Sequence, residues 1–321
     1  MSELNEQGNA LLKLLADGHF HSGEKIGELL GVSRTSVNNY IKGLQEIGLD
    51  IYKVPGRGYQ SATPIDLLDE KIIRSLSQHA HVKVEQILDS TNKWLLDKIP
   101  NLKNGQICIA EYQLAGRGRR GRTWVSPFAS HLYFSYYWRF ESGIEKLSGL
   151  SLLVGIATVN ALEETGIKGV SLKWPNDLYY QGKKLAGILI ELNAQANEAC
   201  HTVIGIGINV RMPPEQAKLI DQPWIDLSSL SDGKVDRNLL SANLISQLQK
   251  LLPEYEKNGL KPHLTKWFEL DCFLNQPVNV LLADKHKAGI CRGIDEHGAL
   301  LLECNGNIET YIGGEVSLRL A

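Results

Sequence analysis

The segment that most constrains the fold is a short basic loop, residues 116–121 (GRGRRG), which lies between two runs of β-type residues. QICIAEY (106–112) precedes the loop, and HLYFSYYW (131–138) follows it after Pro127. The loop satisfies G-x-G-x-x-G, but the dinucleotide-binding fingerprint requires a helix directly after the glycines. Pro127 argues against that helix. The sequence therefore predicts a strand–loop–strand unit in place of a Rossmann site, and the alternative for the loop is a solvated basic turn.

The bulk composition is that of an ordinary globular protein with no global attraction to nucleic acid. The chain has 321 residues, 43% of them hydrophobic and 22% charged, with a formal net charge of −2. This length suggests two or three domains, and any DNA binding must come from a local basic patch. The five cysteines are scattered without CxxC spacing, which favours reduced thiols and no metal site. The sequence has no apolar run of about 18 residues, so we expect a cytoplasmic protein without a membrane partner.

Residues 1–60 are predicted to form a helix-turn-helix with a wing. Leucines at positions 4, 11, 12, 14 and 15 indicate a first amphipathic helix. Ser22 can cap a second helix over 24–30, and Ser33 can cap a third after a turn at Gly31-Val32. The segment IYKVPGRGYQ (51–60) alternates and turns at Pro55-Gly56, as the hairpin of a winged helix does. The buried side of the third helix is expected to carry Val37, Ile41, Leu44 and Ile47.

The third helix and the wing carry side chains that can bond base edges and phosphates. A protein-docking module is the alternative, since the segment has six Lys/Arg (13, 25, 34, 42, 53, 57) against seven Asp/Glu (3, 6, 17, 24, 28, 46, 50). Four of the six bases lie on the third helix and the wing, which favours DNA. The candidate DNA-binding residues are Ser33, Arg34, Thr35, Ser36, Asn38, Asn39, Lys42, Lys53 and Arg57.

The remaining chain predicts an α+β domain followed by a small, separate β-barrel. Thr63-Pro64 marks a linker, so the predicted domains are 1–63, 64–270 and 271–321. Strands in hairpins and runs, in place of strict βαβ alternation, indicate a mixed sheet layered with helices. Strands are predicted at 82–88, 106–112, 131–139, 170–174, 177–181, 184–192 and 200–210. Helices are predicted at 64–77, 90–99 (capped by Ser90), 148–165, 236–257 and 260–270. The barrel strands are VNVLL, AGICRGI, ALLLEC and ETYIGGEV.

Three features of the middle segment can serve an anionic ligand. Lys184 opens the strand KLAGILIEL, where a compact ammonium can meet a carboxylate or a phosphate. Asp177, which ends KWPND, can hold Mg²⁺ between phosphates. The glycines of 205–209 (GIGIN) let the backbone approach a ligand closely. The ordinary structural alternatives are a surface lysine, a turn-forming aspartate and a tightly packed strand crossing.

Five motifs in a fixed order resemble the biotin–protein ligases. They are STN (90–92), EYQLAGRGRRGR (111–122), KWPNDLY (173–179), KLAGIL (184–189) and GIGINV (205–210). Because a helix-turn-helix precedes them, the resemblance is to the bifunctional bacterial type and spans essentially the whole chain. It implies a catalytic domain of the class II synthetase-like type and a C-terminal SH3-like β-barrel.

The resemblance also implies a two-step reaction and a regulatory role. Biotin and MgATP would form biotinyl-5′-adenylate, and a lysine of the biotin carboxyl carrier protein of acetyl-CoA carboxylase would then take the biotin. The adenylate would act as corepressor by promoting a homodimer. That dimer would bind the operator of the biotin synthesis genes.

The site residues implied by the resemblance fall into groups. The catalytic residues are Lys184, Arg119 and Lys173, and Asp177 is the metal ligand. Biotin would be held by Ser90, Thr91, Asn92, Gln113, Arg117, Gly118, Arg119, Lys184, Gly187 and Gly205. The nucleotide would be held by Arg119, Arg122, Trp124, Lys173, Asn176, Asn209 and Trp224.

Two of these groups carry more detailed expectations. Gly187 and Gly205 would leave room for the bicyclic ring of biotin or its valeryl chain. Residues 211–224 (RMPPEQAKLIDQPW) resemble the family's adenylate-ordering loop, with Trp224 packed on adenine. The alternative for this segment is a proline-containing surface loop.

Two rival functions stay open at the level of sequence. One is a dedicated transcription factor whose ligand domain only senses biotin or its adenylate. The basic loop together with Lys173, Asp177 and Lys184 favours an enzyme, because a sensor has no need of groups that bind MgATP. The other is a lipoate-type acyl ligase on the same fold, against which the combination of GRGRRG and KWPND favours biotin.

Overall fold

The amino-terminal part is a three-helix unit with a hairpin, as predicted. The computed structural model describes residues 6–78, 80–141, 143, 147–193, 199–231, 235–282, 285–313 and 316–320. The first elements are α1 (Glu6–Leu15), α2 (Gly23–Leu30), α3 (Arg34–Glu46), β1 (Ile51–Val54) and β2 (Gly58–Ser61). β1 and β2 pair antiparallel and form the wing. The predicted first helix is confirmed from Glu6 onward, and Leu4 lies outside the described residues.

The limits of α2 and α3 follow from the capping residues that the sequence indicated. Ser22 Oγ accepts a hydrogen bond from Lys25 N, and Ser33 Oγ accepts one from Ser36 N, each at 3.1 Å. These bonds satisfy amide groups that the first helical turn leaves without a partner. Gly31 ends α2 in the left-handed region, at a φ of 65°. The four apolar residues predicted for the inner side of α3 are all buried, namely Val37, Ile41, Leu44 and Ile47.

The central part is a seven-stranded mixed sheet covered by helices. Its strands are β3 (Val82–Leu88), β4 (Ile107–Gln113), β5 (Leu132–Phe140), β6 (Ser171–Lys173), β7 (Asp177–Tyr180), β8 (Lys183–Asn193) and β9 (Cys200–Ile208). They follow the order β3-β4-β5-β9-β8-β7-β6. Only the pair β3–β4 is parallel among these neighbours. The predicted α+β class is confirmed.

The helices of this part are α4 (Glu70–Leu76), α5 (Thr91–Leu96), α6 (Leu150–Glu164), α7 (Pro214–Ala217), α8 (Arg237–Asn258) and α9 (Leu264–Leu270). Short 3₁₀ turns lie at Ile99–Asn101, Arg119–Gly121, Leu227–Ser229 and Lys261–His263. α6 is apolar all round because it packs on the sheet on one side and on α8 on the other. No helix in the described part of the chain is long and apolar enough to cross a membrane.

The C-terminal part is a five-stranded antiparallel sheet. It consists of β10 (Pro277–Leu282), β11 (Lys285–Ile294), β12 (Leu300–Cys304), β13 (Asn307–Tyr311) and β14 (Val316–Leu320), in the order β13-β12-β11-β10-β14. Its inner side chains, such as Val280 and Leu318, belong to the same continuous apolar core as α6 and the central sheet. Trp174 Nε1 also donates to Gly298 O at 3.0 Å. The sheet is therefore packed onto the central part.

Two predicted elements differ in the structure. The helix predicted over 64–77 is shorter, because Asp69 caps α4 by accepting from Lys71 N at 2.7 Å. The residues before it form no helix and are bound by two buried side chains: Leu68 N donates to Glu111 Oε1, and the Arg237 guanidinium donates to Asp66 O. The run ETYIGGEV is also not one strand. β13 ends at Tyr311 and β14 starts at Val316, while residues 314 and 315 lie outside the described residues.

Candidate active site

The basic loop is a tight hairpin between β4 and β5, which confirms the predicted strand–loop–strand unit. Arg117 and Thr123 form an antiparallel bridge, and Gly118 N donates to Arg122 O at 2.7 Å. The turn itself requires left-handed backbone, with a φ of 58° at Arg120 and 72° at Gly121. The bridge between Arg117 and Thr123 fixes the backbone of the hairpin. The arginine side chains project from this backbone, and their guanidinium groups can contact oxygen atoms of a ligand.

A cavity lies beside this hairpin, and every residue predicted to bind biotin lines it. The polar residues at the start of α5 form one side, and β8, β9 and the first residues of β14 form the others. The predicted biotin residues in its wall are Ser90, Thr91, Asn92, Gln113, Arg117, Gly118, Arg119, Lys184, Gly187 and Gly205. The predicted nucleotide or metal residues Arg122, Trp124, Asn176 and Asp177 line the same cavity.

Sequence reasoning missed several wall residues. Arg120 and Gln222 lie in segments that were singled out, but not as ligand-binding residues. Val316 and Ser317 come from β14, at the far end of the chain, and no local motif marks them. Other missed residues lie on predicted strands, namely Tyr133, Phe134, Leu189 and Ile206. The alternation of the sequence predicted these strands but not which face of each strand points to a ligand. The GIGIN glycines were the available signal for β9, since Gly207 also lines the cavity.

A second cavity adjoins the first and contains the other predicted nucleotide residues. Asn209 and Trp224 line it, together with the part of the 211–224 segment that includes Leu219 and Ile220. The two cavities share Arg122, Thr123, Trp124, Lys184 and Gln222. A ligand that reaches from one cavity to the other must therefore pass Lys184 and the indole of Trp124.

Backbone contacts bring the 211–224 segment to Lys184. Lys184 N donates to Pro223 O at 2.9 Å, and Ile225 N donates to Lys184 O at 3.0 Å. Trp224 thus forms a parallel bridge with Lys184 and is held at the second cavity. The segment is more than a surface loop with prolines, since it includes α7 and supplies one wall of this cavity.

Lys184 forms a shielded ion pair at the junction of the cavities. Its Nζ lies 2.8 Å from Asp177 Oδ1, and the two side chains are only 15% and 18% exposed. The same ammonium lies 5.5 Å from the centroid of the Trp124 ring. Because little water screens the Lys184 ammonium, its positive charge acts strongly on any anionic group that enters the cavity. The geometry is that of a cation able to stabilise negative charge where the two cavities meet.

Arg119 is directed across the cavity and holds distant parts of the chain together. Its NH1 donates to Asn176 Oδ1 at 2.6 Å, and its NH2 donates to Val316 O at 3.4 Å. Burial lowers the pKa of this guanidinium, because removal from water disfavours the charged form. The basic hairpin is thereby connected both to the KWPND turn and to β14.

A hydrogen-bonded chain of polar side chains forms the opposite end of the first cavity. Gln113 Oε1 accepts from Thr91 N at 3.0 Å and from Thr91 Oγ1 at 3.2 Å. Ser135 Oγ lies 2.7 Å from Thr91 Oγ1 and 2.5 Å from Asn92 Oδ1. Such neutral donors and acceptors suit a polar, uncharged group of a ligand.

The two glycines expected to leave room for biotin line the first cavity and also make room for the protein's own side chains. A Cβ on Gly205 would lie 2.4 Å from Asn92 Oδ1. A Cβ on Gly187 would lie 3.1 Å from the Trp124 ring and 3.3 Å from Lys184 Cε. Gly187 pairs with Gly207 across β8 and β9, and a Cβ there would lie 2.6 Å from the same indole. The glycines thus let Asn92 and Trp124 lie flat against the sheet.

Lys173 is the predicted catalytic residue that the described chain does not bring into either cavity. Its Nζ lies 3.0 Å from Tyr179 OH and 4.6 Å from the centroid of that ring. Burial lowers the pKa of Lys173. It is the cross-strand neighbour of Asp177, yet its ammonium is directed at Tyr179. Sequence spacing could place Lys173 near the site but not set this direction.

The candidate DNA-binding surface is largely exposed, although several of its members also make contacts within the winged helix. Ser33 is the cap of α3. Asn38 Oδ1 accepts from Tyr59 OH and lies 3.4 Å from Lys53 Nζ, so Asn38 joins α3 to the wing. Arg57 stacks 4.0 Å above the ring of Phe20. The exposed side chains include Arg34, Thr35, Asn39 and Lys42 of α3 and the wing bases Lys53 and Arg57. Ser36 is partly exposed.

Among the described residues, Asp177 is the one carboxylate in the wall of the first cavity. In the described residues no group of three or more His, Cys, Asp and Glu side chains is placed to hold an ion by itself. Asp177 lines the first cavity beside Lys184. Mg²⁺ in phosphoryl-transfer sites is commonly held by one or two carboxylates together with the phosphates of the substrate. Asp177 fits that role for a nucleotide-bound ion.

Comparison with known proteins agrees with this arrangement along the whole chain. Sequence profiles match at residues 84–209 for the Biotin/lipoate A/B protein ligase family, at 9–60 for an HTH domain and at 273–319 for the Biotin protein ligase C terminal domain. The chain is 49% identical to the Bifunctional ligase/repressor BirA of Escherichia coli and to that of Salmonella typhimurium, over 97% of this chain and 97% of each relative. A solved structure of the Aquifex aeolicus biotin protein ligase in complex with biotin and ATP superposes with a TM-score of 0.64. It is 29% identical and covers 75% of this chain and 99% of that one.

Proposed function

The chain belongs to the biotin–protein ligase family, in its bifunctional ligase/repressor form, and from this premise we propose that it activates biotin with ATP and transfers it to a protein lysine. The first step would join biotin and ATP into biotinyl-5′-adenylate with release of pyrophosphate. The second would form an amide with a lysine of the biotin carboxyl carrier protein of acetyl-CoA carboxylase and release AMP. The observation that carries this proposal is the cavity in which the basic hairpin and Lys184 meet a neutral polar pocket.

The chemistry of the first step explains why so many cations line one cavity. A carboxylate oxygen of biotin attacks the α-phosphorus of ATP, and both groups are anionic. Preorganised positive charge lowers the cost of bringing them together, and it acts most strongly where water is excluded. Arg117, Arg119, Arg120, Arg122 and Lys184 all line the cavity. Lys184 is at the junction where the carboxylate and the phosphate would meet.

We place biotin in the first cavity and the adenosine in the second. The neutral chain of Thr91, Gln113, Ser135 and Asn92 can exchange hydrogen bonds with the ureido ring, which offers both donors and an acceptor. Trp224 can stack on the adenine base. When bound with ATP, Mg²⁺ held by Asp177 would neutralise phosphate charge.

After the first step the site must hold a reactive mixed anhydride. Arg119 would retain its acyl phosphate, since the contacts with Asn176 and Val316 fix the guanidinium over the cavity. The ε-amine of the carrier lysine then attacks the acyl carbon as a free base, AMP leaves, and the lysine nitrogen loses its proton.

A direct test is pyrophosphate release by the full-length protein with ATP and one of three acids. We expect release with biotin and little with lipoate or octanoate, because the polar end of the cavity suits a ureido ring. Equal or faster release with lipoate would favour the lipoate-type ligase. Binding of biotin without any pyrophosphate release would favour a sensor.

We further propose that the winged helix binds operator DNA as a homodimer promoted by biotinyl-5′-adenylate. The support is the exposed basic and polar side of α3 and the wing, together with the bifunctional relatives. A winged helix reads one half-site, and a dimer reads two. We place the domain boundaries after residues 63 and 270, so that the three family matches fall in separate segments.

A further inference from the structure

Glu191 stands where the polar end of the cavity meets the basic hairpin. Residues at alternate positions of a strand share one face, and on β8 both Gly187 and Leu189 line the cavity. Glu191 is the next residue on that face. Its carboxylate accepts from Asn92 Nδ2 at 2.7 Å and lies 3.0 Å from Arg117 NH2. One carboxylate therefore contacts both the predicted biotin pocket and the first arginine of the hairpin.

We propose that Glu191 is a positioning residue that joins the biotin pocket to the basic hairpin. It acts through Asn92 and Arg117, with no contact to the reacting atoms. This inference rests on the proposed biotin ligase function and extends it to a residue outside the recognised motifs. Two separate arguments support it, one for each partner of the carboxylate.

The first argument concerns the direction of the hydrogen bonds in the pocket. An ionised carboxylate only accepts hydrogen bonds, so Asn92 must present its NH₂ group to Glu191. The same NH₂ group donates to Leu189 O at 3.2 Å. Asn92 Oδ1 therefore faces Ser135, whose hydroxyl must donate to it at 2.5 Å. Glu191 and the carbonyl of Leu189 therefore hold the Asn92 amide in one orientation, with its oxygen towards Ser135 and its NH₂ group towards β8.

The second argument concerns the hairpin. Arg117 and Glu191 are 74 positions apart, and their contact crosses from the hairpin to β8. The side chains are 42% and 24% exposed, so the pair is only partly screened by water. Since Arg117 also forms the bridge with Thr123, anchoring its side chain anchors the base of the hairpin. Loss of the carboxylate would let the hairpin move away from the pocket.

The test is the variant Glu191→Gln in the full-length protein. Glutamine has the same shape, but it is uncharged and can donate as well as accept, so it removes the ion pair with Arg117 and weakens the hydrogen bond from Asn92. We expect biotin to dissociate about tenfold faster and its KM to rise about tenfold, as for loss of a partly exposed charge-assisted hydrogen bond. The kcat for pyrophosphate release should change less than about twofold, because Lys184 and Arg119 stay in place. Glu191→Asp, which keeps the charge, should recover part of the affinity.

A double-mutant cycle distinguishes positioning from a general structural effect. If Glu191 acts through Arg117, then Arg117→Gln should add little to Glu191→Gln. The matched control is Glu303→Gln, which removes a carboxylate from Arg292 at 2.6 Å in a pair that is 38% and 30% exposed, on β12. We expect that control to leave biotin dissociation unchanged.

Several outcomes would overturn the inference. One is biotin dissociation and KM in Glu191→Gln equal to those of the wild type or of the control. Another is full additivity with Arg117→Gln together with no recovery of biotin affinity in Glu191→Asp. A lower thermal stability with unchanged biotin kinetics would reduce Glu191 to a structural residue. A wild-type protein that does not bind biotin would refute the proposed function itself. The measurement on the wild type therefore distinguishes failure of the proposed function from failure of this inference.

Discussion

The winged helix and the ligand cavity are built on opposite principles. In the winged helix the hydrogen bonds that set α2 and α3 join residues three positions apart. In the cavity the decisive contacts join Arg119 to residues 57 and 197 positions away. A surface made from local contacts can form once its few helices pack together. A site made from distant segments exists only when the complete sheet and the C-terminal part are in place.

The two regions nevertheless share a junction. Ile87 and Phe128 of the central part belong to the apolar cluster of the winged helix. Beneath it, Arg237 NH1 lies 2.8 Å from Glu111 Oε2, and both side chains are almost fully buried. These two residues also hold Asp66 and Leu68 of the linker. The regions differ in construction but are not mechanically independent.

The largest effect is expected when one of the two regions is removed. We expect deletion of residues 1–63 to abolish operator binding, because the described helix-turn-helix lies there, while biotin transfer survives at least in part. The measurement is a DNA titration together with an assay of biotin transfer to the carrier protein. Some loss of stability is expected, since Phe128 loses its cover. Specific operator binding by the truncated protein would show that the recognition surface lies elsewhere.

Within the cavity, the largest effect is expected from Lys184→Ala. It removes the shielded cation where the cavities meet, and loss of one preorganised charge-stabilising group commonly costs about 10²–10³ in rate. Pyrophosphate release should fall by that factor, whereas DNA binding of a mutant given preformed adenylate should persist. Lys183→Ala is the matched control, because that neighbour is exposed and lines neither cavity. Unchanged pyrophosphate release in Lys184→Ala would place the reaction away from this lysine.

A smaller effect is expected from Arg119→Gly. This variant should affect retention of the adenylate more than its formation. The variant removes the contacts to Asn176 and Val316 that fix the hairpin over the cavity. Loss of charge-assisted hydrogen bonds of this kind should speed adenylate release about ten- to a hundredfold. Released adenylate should label lysines of bystander proteins. The half-life of bound adenylate, compared with that in Arg139→Gly on the surface, provides the measurement, and equal half-lives would contradict this role.

The smallest effect is expected from Trp224→Ala. This variant tests whether the ligand cavity and the winged helix are coupled. Loss of stacking on adenine should weaken adenylate binding about tenfold. If the adenylate links the two regions through dimerisation, sedimentation towards dimer and operator affinity should weaken together. Trp94→Ala is the control, because its ring stacks under Lys98 at 4.1 Å and lines neither cavity. A protein that is fully dimeric without ligand, with operator affinity indifferent to biotin and ATP, would remove the corepressor role and leave the ligase intact.

The sequence by itself determined the elements whose cause is local. The caps at Ser22 and Ser33, the wing, the hairpin between β4 and β5 and the long apolar α6 all follow from periodicity and from residues a few positions apart. The family resemblance that the ordered motifs carry also identified ten of the residues that line the first cavity.

Only the tertiary structure decided which way these side chains point and what completes the site. Lys173 turns to Tyr179, and Gly205 makes room for Asn92. Val316 reaches the cavity from β14, and Glu191 joins Asn92 to Arg117 from a strand without a recognised motif at that position. The physical reason is that these contacts depend on strand register and on the packing of segments far apart in the chain, and local sequence patterns do not contain that information.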